Sequence, residues 1–172
     1  MSIFATITQY ARMLNNLDRW LEAAIAHAEA KKFDPEILVQ ARLAPDQFAL
    51  VQQVQSACDA AKYAAAYLSG QTAPSHPDNE KTLADVRARI AKCVAYLGTF
   101  KEADFAGGLE RRVAPAWMEG RAVGGAAYLT RISEPNFYFH VTTTYAILRH
   151  NGVVLGKADF IGVQSWTEIA DW

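Results

Sequence analysis

The chain has 172 residues, 51% of them hydrophobic and 20% charged, with a net charge of −1 and a pI near 6.4. That length suits one domain with a core of its own, and that balance excludes a disordered chain. It also excludes a basic footprint for nucleic acid, since Lys31-Lys32 and Arg111-Arg112 are its only tight basic pairs.

The N-terminal run Met1 to Thr6 lacks the cationic segment and apolar stretch of a signal peptide. From Ile3 to Ala30, apolar residues fall at Ile3, Ile7, Tyr10, Leu14, Leu17, Leu21, Ile25 and Ala28, in steps of three and four. That spacing predicts one stripe of a long amphipathic helix. Phe33-Asp34-Pro35 ends it, because proline disfavours helical geometry in the residue before it.

After a short connection, Ala44-Pro45-Asp46 reads as the start of a second helix, with proline in the first turn and an acid at the positive end of the dipole. It runs to Ser69 and stops at Gly70. Leu50, Val54, Ala57, Ala61, Ala64 and Leu68 share a face whose alanines permit a close neighbour, while Gln52, Gln55, Asp59 and Lys62 form a polar line beside it. Cys58, and Cys93 further on, show no CxxC spacing and read as buried free thiols in a reducing compartment.

Gln71 to Asn79 is a loop by composition. A third helix carries Leu83, Val86, Ile90, Val94 and Leu97 on one stripe, with Gly98 near its end. Lys101 to Gly125 is rich in glycine and holds Pro115; it reads as a long irregular segment containing a short hairpin. A fourth helix starts near Ala126 and ends at Arg149-His150-Asn151-Gly152, a basic last turn followed by a stop. Pro135 lies inside it, so the helix either kinks there or restarts with Ser133 or Glu134 as its cap.

Beyond Gly152 the tail keeps Val153, Val154, Leu155, Phe160, Ile161, Trp166 and Trp172, and so should dock on its own helices or on a partner subunit. No window reaches the roughly 20 apolar residues of a membrane span. Four long helical patterns without βαβ alternation predict an all-α, up-down four-helix bundle. We read 1–172 as a single domain, with its core over 3–152 and a docking tail over 153–172, in a cytoplasmic protein.

The densest polar-aromatic cluster lies on the last helix, Pro135-Asn136-Phe137-Tyr138-Phe139-His140. At 100° per residue, Phe137, Val141, Thr144 and Leu148 centre the buried stripe, with His140 on one shoulder and Tyr138 and Tyr145 on the other. Asn136 sits one turn before His140 and Thr144 one turn after. His140 is either a core histidine satisfied by Asn136, a threonine hydroxyl or water, or a ligand or general base inside the helices. His150 is about 15 Å further along the axis, too far to share a metal with it. The polar line of the second helix is either a solvated face with an Asp59–Lys62 pair or the wall of a cavity opposite His140. There is no glycine-rich phosphate loop, GxSxG or HExxH.

Two stretches together carry a likeness: Gln40 to Asp46 with Cys58-Asp59-Ala60-Ala61-Lys62, and Pro135 to His140 with Leu148-Arg149-His150-Asn151-Gly152-Val153. They resemble an uncharacterised bacterial and fungal domain family within the DinB/YfiT-like superfamily of metalloenzymes. The likeness spans Ile3 to about Gly162. It implies a four-helix bundle, commonly a homodimer, and in the wider superfamily a divalent metal (Zn or Ni) held by one histidine of the second helix and an HxxxH pair on the last. This chain departs from that pattern: with His140 as the first member of the pair, position 144 is threonine, and the second helix has no histidine.

Two readings follow. One is a non-catalytic bundle that dimerises or binds a small apolar or aromatic ligand, with Tyr138, Phe139, Tyr145, Trp117 and Trp166 as walls. The other is a metal-dependent thiol transferase or hydrolase, with His140 as metal ligand or base assisted by Asp59. The missing histidines favour the first. The candidate ligand-binding residues are Gln55, Asp59, Asn136, Tyr138, His140, Thr144 and Tyr145.

Overall fold

The computed structural model describes residues 2–163; the expectations for Trp166 and Trp172 lie outside them. Helix α1 (Ile3–Lys31) begins at Ser2, whose hydroxyl accepts the Ala5 amide, and ends where Lys32 turns left-handed. The sequence stripe is its buried face through Leu21, and Met13, Trp20 and Ala24 widen it. Asp34 then caps a single 3-10 stretch, Pro35–Gln40, by accepting the Glu36 amide at 3.0 Å.

Helix α2 (Leu50–Ser69) starts later than Ala44-Pro45-Asp46 predicts. Those residues instead make a turn, in which the Gln47 amide donates to the Ala44 carbonyl at 3.1 Å. The start is set by Gln52, whose Oε1 accepts the Ala49 amide at 3.1 Å, half of a capping box. Gly70 ends the helix at φ +77°, a left-handed stop that suits glycine. Helix α3 (Leu83–Leu97) opens on a complete capping box between Thr82 and Asp85.

The irregular segment contains the expected hairpin in minimal form. β1 (Arg112–Val113) pairs antiparallel with β2 (Val123–Gly124), Arg112 opposite Gly124 and Val113 opposite Val123. Two glycines let this segment approach the helices: a Cβ on Gly125 would run into the Gly108 carbonyl, and one on Gly108 would meet the Leu68 carbonyl at 2.5 Å.

The last helical run is α4 (Gly125–Tyr128), a π turn (Leu129–Ser133) and α5 (Glu134–His150). Of the two expectations for Pro135, the restart is not observed: the helical run continues through it, preceded by the π turn. Ser133 is helical rather than a cap, and its hydroxyl pairs with the Tyr10 hydroxyl at 3.1 Å. Proline lacks an amide hydrogen and its ring crowds the carbonyl four residues back. The wider turn, in which the Glu134 amide reaches the Leu129 carbonyl five residues back, accommodates it.

The protein is thus mostly helical. α2 packs against α3 and α5, while α1 packs against α3, α5 and α2. Ala57, Ala61 and Ala64 are buried on the face of α2, and Phe137, Val141, Thr144 and Leu148 are buried on α5 as their spacing predicts. A further short helix, α6 (Lys157–Ile161), brings the described part of the tail back onto α1. Phe160 stacks on Trp20 at 5.5 Å, Trp20 Nε1 donates to the Asp159 carbonyl and Arg12 to that of Ile161. Among the described residues, no helix is long and apolar enough to cross a membrane.

Candidate functional site

His140 is 8% exposed on α5, and its Nδ1 lies 2.7 Å from Oε1 of Gln53 on α2. The amide of Gln53 is oriented from its other end, because its Nε2 donates to the Phe48 carbonyl at 3.2 Å. Its oxygen therefore accepts, so Nδ1 of His140 carries the proton and Nε2 keeps its lone pair. Among the described residues nothing bonds that Nε2, and His140 lines a pocket of about 910 Å³. The partner foreseen for this histidine was Asn136, a threonine or water; it is Gln53. The α2 spacing could have found it, since Gln53 lies one turn before Ala57 on the apolar side.

Burial lowers the pKa of His140, so the ring is neutral at pH 7 with Nε2 as an acceptor. His76, buried in the loop before α3, is also lowered, first by burial and then by Lys62, Lys92 and Arg89. An imidazole whose folded pKa lies below its unfolded value takes up its proton more readily when the chain unfolds. Its contribution is fully present above about pH 6.5 and is lost as the pH falls through and below that value. Denaturant melts should therefore show stability falling between pH 7 and pH 5, and a His76→Gln/His140→Gln double variant should flatten that slope.

The pocket lies between α2, the π turn with the start of α5, and the Ala116–Met118 turn. The exposed large aromatic side chains among the described residues are Phe48, Tyr63, Trp117 and Phe139, and all four line it. Exposed aromatics gathered at one place mark a binding surface more often than scattered ones do.

Below one wall lies a buried charge network. Arg89 of α3 reaches Asp59 at 2.8 Å, Asp78 at 2.9 Å and Glu80 at 3.0 Å, and donates to the His76 and Pro77 carbonyls. Lys62, 1% exposed, holds the same Asp59 oxygen, Oδ1, at 2.8 Å, and Gln55 donates to Glu80 at 2.7 Å. Burial pushes the Glu80 carboxyl up, but hydrogen bonds from Gln55 and Arg89 outweigh it and hold its pKa below the usual value. The Asp59–Lys62 pair and the cavity wall, alternatives in the sequence, are both present: Asp59 makes the pair and also lines the pocket. Arg89 and Glu80 gave no sequence signal, since their meeting depends on how α2 and α3 pack.

Gln55, Asp59, Asn136 and His140 thus come together on one pocket. Tyr138, Thr144 and Tyr145 do not. Tyr138 faces a separate groove with Thr6 and Gln9 of α1, and Tyr145 packs edge-on against Trp20 and Phe160, donating to the Leu155 carbonyl. Thr144 is fully buried and returns its hydroxyl to the His140 carbonyl at 2.9 Å. Cys58 and Cys93 are buried free thiols, and the hydrogen bond with Cys93, then burial, pushes the Cys58 thiol well up, away from reactivity.

The donor set does not fit the metal centre that the resemblance implies. Among the described residues no three His, Cys, Asp or Glu side chains converge. The position one turn after His140 is a threonine already hydrogen-bonded to backbone, and Nδ1 is engaged by Gln53. One imidazole nitrogen falls short of the three protein ligands that a catalytic zinc takes.

A family model described as a domain of unknown function, DUF1993, matches residues 4–161. A crystal structure of a DinB family member protein from Shewanella denitrificans is similar, with a TM-score of 0.88 and 46% sequence identity over 93% of this chain and 91% of that one. No curated protein matches.

Proposed function

Because the chain belongs to the DUF1993 family, with a DinB family member as structural neighbour, we propose that it is a non-catalytic member that binds a small molecule in the Gln53–His140 pocket. It is a single cytoplasmic domain, built as an up-down four-helix bundle and paired as a homodimer. Gln55, Asp59, Asn136 and His140 supply its polar contacts, and the exposed aromatics its walls. The observation that carries this reading is the Gln53–His140 hydrogen bond. It fixes the imidazole as an acceptor facing a pocket whose size lies within the 300–1,000 Å³ common for small-molecule sites. A catalytic role would need a nucleophile or a second proton-transfer group beside Nε2; the nearby carboxylate, Asp59, is neutralised by Lys62 and Arg89 instead.

Metal analysis of protein purified without a histidine tag tests this reading against a metal-dependent transferase or hydrolase. We expect well under one Zn or Ni per chain after loading with either, and no difference between the wild type and His140→Ala. One metal per chain that disappears in His140→Ala overturns the proposal.

A further inference from the structure

We propose that the occupant of this pocket is an aromatic anion, its negative group on Arg131 and its ring against Trp117 and Phe139. This rests on the reading of the pocket as a small-molecule site and adds the chemistry of what fills it.

Three charged side chains line the pocket, Asp59, Asp78 and Arg131. Asp59 is engaged by Lys62 and Arg89, and Asp78 by Arg89. Arg131 makes no ion pair or hydrogen bond among the described residues. Glu80 shares Arg89 with Asp59 and Asp78, so the three carboxylates of the network face two cations, and Arg131 is the charged side chain of the pocket that no counter-ion engages among the described residues. A guanidinium presents forked donors that match a carboxylate or phosphate.

The backbone places it there. Arg131 lies in the π turn that accommodates Pro135, and the same turn supplies Ile132 and Ser133 to the pocket. Such widened turns recur at functional sites because they re-aim side chains out of helical register. In the same pocket, Trp117 is 64% exposed and Phe139 56%, so two large rings face water where a planar ligand could cover them. His140 Nε2 is an acceptor and asks for an N–H or O–H donor on the ligand. A ring with one such donor and one anionic group satisfies all three features; a cation or a neutral aliphatic molecule leaves Arg131 unmatched.

The probes are indoleacetate and its neutral isostere indoleacetamide, which share the ring and the N–H donor and differ in charge. Calorimetric titrations use the full chain and two variants at exposed positions, Arg131→Gln and Trp117→Ala, with circular dichroism confirming that each folds. An exposed ion pair is worth at most about 1 kcal/mol, roughly fivefold in Kd. We expect indoleacetate to bind about fivefold tighter than the amide, and raising the salt to shrink the gap. Arg131→Gln should abolish the preference without changing amide binding, and Trp117→Ala should weaken both.

Equal binding of the two probes, both weakened by Trp117→Ala and neither by Arg131→Gln, overturns the anion assignment and leaves the pocket reading standing. Binding that ignores Trp117→Ala, or no binding of either probe, overturns the pocket reading and this inference with it.

Discussion

Arg89→Met is expected to destabilise the protein by about 3 kcal/mol, read as a lower midpoint in urea with an unchanged slope. Methionine keeps most of the side chain's volume, so the loss isolates the charge. Arg89 has a side chain only 2% exposed, and it is the cation that serves Glu80, whose side chain is 8% exposed. Removing it leaves Glu80 buried with only Gln55 as partner, while Asp59 keeps Lys62. An uncompensated buried charge costs far more than the pair gained by forming, which is why breaking a buried pair is severe even where the pair itself adds little. Arg89→Lys should restore only part of the loss, because one ammonium cannot reach Asp59, Glu80 and two loop carbonyls at once. The variant should also loosen the segment over 71–82, since Arg89 holds the His76 and Pro77 carbonyls. A methionine variant as stable as the wild type would mean that the network is solvated.

Trp20→Ala should cost about 3–5 kcal/mol, the range for emptying a large aromatic site in a core. The indole is 1% exposed, stacks on Phe160, meets Tyr145 edge-on and donates to the Asp159 carbonyl. It therefore joins three parts of the chain: α1, α5 and the returning tail. The substitution opens a cavity and orphans the Asp159 carbonyl as well, so thermal unfolding should move to a markedly lower midpoint. Trp20→Phe keeps the ring and loses the donor; about 1 kcal/mol of the cost should remain.

These two residues also mark how far the sequence could be read. The spacing of Ile3, Ile7, Tyr10 and Leu14 announces α1, and that of Phe137, Val141, Thr144 and Leu148 the buried face of α5, because a 3.6-residue repeat depends on one helix alone. Trp20 lies beside the predicted stripe of α1, and nothing local says that Phe160 will stack on it. The start of α2 is misplaced for a similar reason. Ala44-Pro45-Asp46 has the residues of a helix start, yet the Gln52 side chain closes on Ala49 and sets the boundary nearer the core. Pro135 left two outcomes open, and the π turn belonged to neither in detail.

At the site, His140, Asn136, Gln55 and Asp59 were legible because helical geometry puts each on a facing surface. Gln53 was passed over, although its place one turn before Ala57 puts it on the apolar side of α2, because a polar residue there declares its partner only when α5 is set opposite. Tyr138 and Tyr145 show the reverse failure: aromatics next to a histidine in sequence, they point into a separate groove and into the core.

Nitrogen-15 NMR of the His140 ring at pH 7.5, with and without one equivalent of zinc, tests the account most directly. The account predicts a neutral ring protonated at Nδ1, with Nε2 unprotonated and neither signal moved by the metal. Gln53→Leu should release that preference. A ring protonated at Nε2, or a zinc-induced shift of either nitrogen at one equivalent, would contradict it.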